Sequence, residues 1–274
     1  MKIIINGLGR IGKLVFRRLC DENLHKNILM VNEKAGSASD QEYFLRYDTV
    51  HGTWGDDLFF ENGCLNYKDH SIDVMTEGSI ESISFPKSEK FLVVDCTGVN
   101  KSEKLLEPYF ERKASYVLIS APIESSNVQN IVYGINHQSI DTSAYKIFTA
   151  ASCTTNCLAP IVKVLEENIG IKHGSITTIH NITNSQTIVD APKNNLRRSR
   201  SGINSLIPTT TGSARAISLI YPELKGRLNG HAVRVPLLNA SLTDCVFEMK
   251  QNVEVDKINQ LFNEASNTYL RDIL

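Results

Sequence analysis

Three glycines near the start of the chain constrain its fold more than any other feature of the sequence. Gly7, Gly9 and Gly12 follow the short β-rich run 2–5, and an amphipathic stretch continues to about Cys20. The order strand, glycine turn, helix is typical of dinucleotide-binding units. The first glycine permits a tight turn, the second lets the backbone approach a pyrophosphate, and the third lets the helix pack on the strand. Backbone N–H groups at the helix start would then hold the phosphates.

A carboxylate follows the second apolar run at the distance that such a unit requires. The run 28–31 is followed by Asn32 and Glu33, about twenty residues after the glycines. A carboxylate there would accept a hydrogen bond from a ribose 2′-OH and repel a 2′-phosphate, which favours NAD over NADP. The alternative is a glycine turn of purely structural use, with Glu33 as a solvated strand end.

Further apolar runs predict the sheet that this turn would serve. Residues 92–98 and 116–122 are predicted as strands, with a helix between them over about 101–113. Continuous apolar runs that alternate with helices indicate a parallel sheet covered on both faces. Several short alternating runs within residues 51–85 predict smaller strands inserted at the edge of this sheet. The first helix is predicted to carry one apolar face, formed by Ile11, Leu14, Val15 and Leu19.

Composition excludes several classes of partner. The 274 residues include 29 basic and 30 acidic side chains, so the net charge of −1 gives no electrostatic footprint for nucleic acid or an anionic membrane. The first residues reach Asn6 and Gly7 without an apolar region long enough for a secretory signal, and no stretch predicts membrane insertion. The six cysteines include no C-x-x-C pair, so we predict no metal site and a reducing cytoplasmic location.

The segment 150–157 sets Cys153 among small and hydroxyl residues at a predicted helix start. Unpaired N–H groups and the helix dipole favour negative charge there, which lowers a thiol pKa and raises the fraction of nucleophilic thiolate. Cys157, one turn later, is expected to face the body of the helix. On these grounds alone, an inert buried cysteine stays the open alternative.

Several features further along the chain suit a reactive thiol and anions. A predicted strand over 175–180 ends in His180, which could lower the thiol pKa and serve as general base, or be a hydrogen-bonded strand-end residue. A long polar segment contains the basic run 197–200, which could equally be a solvated face. The hydroxyl and glycine turn 207–213 precedes a predicted helix, and Arg234 adds a fixed cation suited to phosphate.

These motifs together resemble the phosphorylating glyceraldehyde-3-phosphate dehydrogenase family. The matching segments are 5–12, 47–52, 151–160, 196–200, 207–212 and 224–236. The resemblance implies an α/β protein with a Rossmann-type NAD-binding domain over 1–152. A catalytic α+β domain with a mixed or antiparallel sheet would follow over 153–274. It also implies a homotetramer that acts on glyceraldehyde 3-phosphate.

The resemblance assigns expected roles to single residues. Cys153 would form a thiohemiacetal with the aldehyde, His180 would activate the thiol, and phosphate would cleave the resulting thioester. Cofactor-binding positions would be Asn6, Gly7, Gly9, Arg10, Ile11, Gly12, Glu33, Thr97, Gly98, Ser120, Asn184 and Pro192. Substrate and phosphate positions would be Ser152, Thr154, Thr183, Arg198, Thr211, Gly212 and Arg234.

The sequence also departs from the family pattern. Glu33 replaces the usual aspartate, which keeps the ribose acceptor. The sequence ends at Leu274, before further family strands, a nicotinamide-fixing asparagine and a terminal helix, so we expect a truncated chain with impaired activity.

Segments 31–34, 173–180, 187–192 and 239–245 resemble a subfamily associated with arsenate resistance. There arsenate replaces phosphate and the product is 1-arseno-3-phosphoglycerate. Two alternatives stay open: an erythrose-4-phosphate dehydrogenase and a non-catalytic NAD-binding remnant.

Overall fold

The computed structural model describes residues 1–86 and 90–274, which divide into two compact units. The first unit comprises Met1–Asn130 and Asp141–Ala150, and the second comprises Ile131–Ile140 and Ala151–Leu274. The predicted boundary between residues 152 and 153 stays a prediction. The division observed here falls two residues earlier and assigns the segment 131–140 to the second unit.

A nine-stranded sheet organises the described part of the first unit, in the order β10-β11-β9-β8-β1-β2-β7-β6-β5. The strands from β10 to β7 pair in parallel, whereas β5, β6 and β7 pair antiparallel at one edge, as the short runs in 51–85 predicted. The elements are β1 Lys2–Asn6, α1 Arg10–Asp21, β2 Ile28–Asn32, α2 Asp40–Arg46, β3 Tyr47–Asp48, β4 Gly52–Thr53, β5 Leu58–Glu61, β6 Cys64–Tyr67, β7 His70–Met75, β8 Phe91–Asp95, α3 Glu103–Glu111, β9 Tyr116–Ile119, β10 Val128–Asn130 and β11 Ile147–Thr149.

The central strands carry apolar side chains on both faces because helices cover the sheet on both sides. Ile4 of β1 packs in one cluster with Phe91 and Val93 of β8, and Ile5 packs in a separate cluster with Phe16 of α1. All five side chains are fully buried. Continuous apolar strands of this kind are typical of doubly covered parallel sheets. The predicted Rossmann-type architecture is confirmed.

The glycine turn between β1 and α1 shows why two of its glycines are required. Gly7 has a φ of +91°, and an added Cβ would lie 2.8 Å from the backbone N of Thr97. A Cβ on Gly12 would lie 1.8 Å from the carbonyl oxygen of Gly7. Gly9 has no heavy atom within 4 Å of the corresponding position, so its side of the turn is open. The turn thus combines close backbone packing with one accessible face.

The apolar residues predicted on one face of α1 lie together on one side of the helix, but the buried row of the helix runs beside them. The buried row is Gly12, Phe16 and Cys20, at spacings of four residues. Gly12 starts this row because its missing side chain lets the helix approach the strand. Ile11 is 52% exposed, while Leu14, Val15 and Leu19 are half-buried. Val15 and Leu19 pack against the core cluster beneath α1, whereas Ile11 lies at the surface.

The second unit contains a four-stranded mixed sheet, ordered β13-β14-β12-β15 among the described residues. β12 pairs in parallel with β14 and antiparallel with β15, and β13 pairs antiparallel with β14. This confirms the predicted α+β class with a mixed sheet. The elements are α4 Cys153–Asn168, β12 Ile171–Asn181, β13 Ile207–Thr210, α5 Ser213–Ile220, β14 Leu228–Val235, β15 Ser241–Met249 and α6 Val255–Asn267.

The core of the second unit lies between α4 and the sheet. Leu158, Val162 and Val164 of α4 are fully buried and cluster with Ile176 of β12 and Ile217 of α5. The predicted helix after Cys153 and the strands containing His180 and Arg234 are confirmed, with β12 and β14 longer than predicted. This core packs α4 against β12, β15 and α5.

We predict that Gly12→Ala lowers the free energy of unfolding by about 2–4 kcal/mol, because the new methyl overlaps the Gly7 carbonyl. Urea denaturation of the purified chain measures this change. Gly9→Ala is the matched control, and it should change stability by less than about 1 kcal/mol because the position is open. Equal losses in the two variants would contradict the proposed packing role of Gly12.

Candidate active site

Cys153 is the first residue of α4, and the residues before it shape the helix start. Ala151 has a φ of +54°, a left-handed conformation that non-glycine residues seldom adopt. Ser152 is then extended and forms the N-cap, its Oγ accepting a hydrogen bond from the N–H of Thr155 at 3.1 Å. The thiol of Cys153 therefore lies at the positive end of the helix dipole, as the sequence predicted.

The structure brings Cys153 and His180 together. Sγ of Cys153 lies 3.4 Å from Nε2 of His180 near the end of β12. This hydrogen bond to His180 outweighs burial and lowers the pKa of the Cys153 thiol from 9.0 to about 7. Roughly half of the thiol is therefore thiolate near neutral pH.

Cys157 is exposed, with Sγ 3.9 Å from Oγ1 of Thr243, so the expectation that it faces the helix body is wrong.

Arg234 of β14 reaches the other side of the His180 ring, because His180 and Arg234 are register partners in the β12–β14 pair. Nη1 of Arg234 lies 2.6 Å from Nδ1 of His180 and donates to the carbonyl oxygen of Asn181 at 2.9 Å. The same Nδ1 lies 2.8 Å from the Asn181 carbonyl. Burial, followed by the neighbouring charge of Arg198, lowers the pKa of Arg234.

The other predicted anion-binding residues occupy several short turns of the second unit. Arg198 donates to Oγ1 of Thr209 through Nε at 3.3 Å and Nη2 at 2.8 Å. Gly212 is the N-cap of α5. The hydroxyl group of Thr211, the residue before it, forms a 2.9 Å hydrogen bond with the hydroxyl group of Ser213, the first residue of the helix. These residues place one guanidinium and the start of helix α5 in the unit that also holds Cys153.

Three further predicted positions lie in the polar segment that follows β12. The hydroxyl of Thr183 contacts Ser185 at 2.9 Å within its own turn. Asn184 and Pro192 lie in the second unit, in the long polar segment between β12 and β13. Their cofactor role stays a prediction.

The predicted cofactor residues of the first unit gather at the carboxyl ends of its parallel strands. Glu33 follows β2, and its carboxylate accepts hydrogen bonds from the N–H of Leu8 at 2.8 Å and of Ala35 at 3.0 Å. The same edge holds the glycine turn after β1, Thr97 and Gly98 after β8, and Ser120 after β9. Ligands of open α/β sheets bind at this edge. Arg10 and Ile11 begin α1 and are exposed.

Sequence reasoning missed a buried polar network beneath this edge. Asp95 is completely buried, and Oδ2 accepts from the Tyr109 hydroxyl at 2.8 Å while Oδ1 accepts from the Thr97 N–H at 2.9 Å. Asn6 donates to Tyr109 at 2.5 Å and accepts from Asn32 at 2.8 Å. Burial raises the pKa of Tyr109, so the phenol stays a donor. The network ties the ends of β1, β2 and β8 together beside the glycine turn.

Part of this network had a signal in the sequence. A carboxylate that closes an apolar strand run, as Asp95 does, is rarely left unpaired when it is buried. Tyr109 carried no such signal, because a tyrosine inside an amphipathic helix is ordinary. The side chain of Asn6 is engaged in this network, and its carbonyl accepts a hydrogen bond from the Cys96 N–H at 2.7 Å, so its cofactor role stays a prediction.

Comparison with known proteins matches both units to one family. Residues 1–103 match the family model described as glyceraldehyde 3-phosphate dehydrogenase, NAD binding domain, and residues 152–274 match the model of the C-terminal domain. The chain is 46% identical over 270 residues to glyceraldehyde-3-phosphate dehydrogenase 3 of Nostoc sp., covering 97% of this chain and 78% of that protein. It is 39% identical to glyceraldehyde-3-phosphate dehydrogenase 1 of Bacillus cereus, covering 100% of this chain and 81% of that protein.

A dinucleotide-binding sheet and the NAD-binding-domain match define an NAD-dependent oxidoreductase, which confirms the predicted cofactor and enzyme class. The chain belongs to the glyceraldehyde-3-phosphate dehydrogenase family. Across residues 1–86 and 90–274, no helix has the length and apolar character needed to cross a membrane. The described residues also contain no group of three or more His, Cys, Asp or Glu side chains that could hold a metal ion.

We predict that His180→Gln raises the pH midpoint of Cys153 reactivity from about 7 towards 9.0, because the variant loses the imidazole that stabilises the thiolate. The rate of alkylation by iodoacetamide, measured against pH with peptide mapping of Cys153, gives this midpoint. His173→Gln on the same strand is the matched control, since His173 is exposed and contacts Glu248. A midpoint unchanged in His180→Gln would contradict the assigned cause.

Proposed function

We propose that this chain oxidises glyceraldehyde 3-phosphate with NAD through a thioester on Cys153. The observation that carries the proposal is the 3.4 Å contact between Cys153 and His180, with the thiol pKa lowered to about 7. A nucleophile and a base within hydrogen-bond reach are the minimum for covalent acyl chemistry. Membership of the dehydrogenase family supports the substrate and the reaction type.

The residues of this chain fit NAD at the edge of the first sheet. Gly9 leaves the turn open, Gly7 and Gly12 allow the close approach that the turn needs, and the carboxylate of Glu33 is held against the turn by the Leu8 N–H. We assign the pyrophosphate to the N–H groups at the start of α1 and the ribose to Glu33. When bound, NAD supplies the acceptor for a hydride.

Cys153 and His180 divide the covalent steps between them. The thiolate attacks the aldehyde carbon, and the carbonyl electron pair moves to oxygen. That oxygen takes the proton that His180 received from the thiol, giving a thiohemiacetal on Cys153. His180 receives the proton of that hydroxyl group through Nε2 as the carbonyl re-forms. Once the hydride has left, Cys153 carries a thioester. An oxyanion then attacks this thioester and releases an acyl phosphate, which returns Cys153 to the thiolate.

We assign two anions, the substrate phosphate and the attacking oxyanion, to side chains and turns of the second unit. We assign the substrate phosphate to Arg234 and Arg198, whose charges are close enough to affect each other. We assign the attacking oxyanion to Ser152, Thr154, Thr211 and Gly212, which lie at or near helix starts. Thr183 stays an assignment from family resemblance.

We propose further that the attacking oxyanion can be arsenate as well as phosphate. The two ions are nearly isosteric, and the donors named above would hydrogen-bond either one. With arsenate the product would be 1-arseno-3-phosphoglycerate, in keeping with the sequence segments that resemble the arsenate-resistance subfamily. A cytoplasmic homotetramer is part of the same proposal. Its support is family resemblance together with six free thiols, which suit a reducing compartment.

We predict that the wild-type chain forms about one equivalent of NADH per active site from glyceraldehyde 3-phosphate without an oxyanion, because the thioester accumulates. Phosphate or arsenate should convert this burst into steady turnover. Cys153→Ser should lose at least about 10³-fold in rate. Absorbance of NADH at each condition is the measurement.

The matched control is Cys157→Ser, which removes the thiol one helical turn away and should keep the burst and the turnover. NAD binding without any NADH burst would contradict the proposal and favour a non-catalytic remnant. A higher rate on erythrose 4-phosphate would contradict the substrate assignment.

A further inference from the structure

A completely buried carboxylate in the first unit has no part in the reaction described above. Asp95, the last residue of β8, is 0% exposed and accepts four hydrogen bonds, each from an uncharged donor. Oδ1 accepts from the N–H and the hydroxyl of Thr97, at 2.9 and 2.6 Å. Oδ2 accepts from Nδ2 of Asn100 at 2.7 Å and from the hydroxyl of Tyr109 at 2.8 Å. A buried polar group is costly unless such bonds replace its water, so these donors hold Asp95 in place.

Tyr109 extends the network from Asp95 to the ends of β1 and β2. Its hydroxyl donates its one proton to Asp95, so its oxygen is left to accept from Nδ2 of Asn6 at 2.5 Å. Asn6 in turn accepts from Nδ2 of Asn32 at 2.8 Å. Asn32 then bonds to both the N–H and the carbonyl oxygen of Glu77, at 2.8 and 3.1 Å. The phenol thus links the buried carboxylate to the two asparagines.

The network holds the turns on both sides of the glycine turn. Asp95 holds the turn 97–100 after β8, and Asn32 holds the turn after β7. The first of these touches the glycine turn directly, since a Cβ on Gly7 would lie 2.8 Å from the backbone N of Thr97. The N–H of Gly7 also donates to the carbonyl oxygen of Asn32 at 2.8 Å. A shift of the turn 97–100 therefore displaces the glycine turn, because packing this close leaves no free space between them.

We propose that Tyr109 is a positioning residue for NAD, which acts through Asp95 and Asn6 on the shape of this edge and touches no part of the cofactor. This rests on the proposed function for the placement of NAD. Tyr109 is completely buried, so its effect reaches the cofactor only through the turns that it braces. Without its hydroxyl, Nδ2 of Asn6 loses this acceptor and Asp95 loses one of its donors. The turn 97–100 is then less well pre-organised, and adenosine and pyrophosphate are bound less tightly.

The experiment measures the dissociation constants of NAD and of ADP-ribose by isothermal titration calorimetry, in the wild-type chain and in Tyr109→Phe. ADP-ribose keeps the adenosine and the pyrophosphate of NAD and lacks the nicotinamide. Both constants should rise by about 5-fold, because a buried hydrogen bond no longer holds the edge. Unchanged constants would overturn the proposal. So would a rise for NAD alone, since the adenosine and pyrophosphate would then be bound as before.

A matched control separates positioning from a general loss of stability. Leu106 lies on the same helix as Tyr109 and is buried in the same cluster, so Leu106→Val destabilises this unit without removing a member of the network. This variant should lower the midpoint of thermal unfolding and leave both dissociation constants unchanged. Equal rises of the constants in the two variants would overturn the proposal. Circular dichroism at the titration temperature checks each fold.

A second variant acts on the partly exposed side of the network, where folding is least at risk. Asn100→Ala removes the 2.7 Å hydrogen bond to Asp95 and should raise both dissociation constants by about 2- to 5-fold. Because Asn100 and Tyr109 act through the same carboxylate, the double variant should lose less affinity than the product of the two single losses. A loss equal to that product would overturn the proposal.

None of these measurements requires turnover, so the two proposals fail in different ways. A wild-type chain that binds neither ligand would overturn the placement of NAD and the role of Tyr109 with it. A chain that binds NAD but forms no NADH burst would contradict the proposed reaction, and its binding constants would still decide the role of Tyr109.

Discussion

The hydrogen bond between Cys153 and His180 is the interaction on which the chemistry of this chain depends. Other thiols of the same chain show what happens without it. Burial raises the pKa of Cys20 to about 12 and those of Cys96 and Cys245 to about 11, so these thiols stay protonated and inert. Cys153 differs because the imidazole at 3.4 Å outweighs the same burial. The fold of the second unit serves this contact, since α4 supplies the sulfur and β12 supplies the ring.

Much of the fold followed from local sequence patterns. The glycine turn, the parallel sheet, the helix that begins at Cys153 and the strand that contains His180 each depend on residues that are near one another in the chain. Glycine spacing and apolar periodicity report such local requirements directly. The pairing of Cys153 with His180 was a hypothesis about two distant segments, and the structure supplies the convergence.

Other features could not be predicted because they depend on packing between elements. The apolar residues of α1 share one side of the helix, yet the buried row begins at Gly12, since a glycine allows a closer approach to the strand than any larger side chain. The contact between Arg234 and His180 follows from the register of β12 and β14, which neither strand encodes alone. The Asp95 network depends on Tyr109, a residue on a separate helix.

The most direct test of the account is mass spectrometry of the acid-quenched chain after incubation with NAD and glyceraldehyde 3-phosphate, without phosphate or arsenate. We expect a single 3-phosphoglyceroyl adduct, mapped by peptide analysis to Cys153 and removed when phosphate or arsenate is added before the quench. An adduct on another cysteine would contradict it. So would NADH formation that leaves Cys153 unmodified.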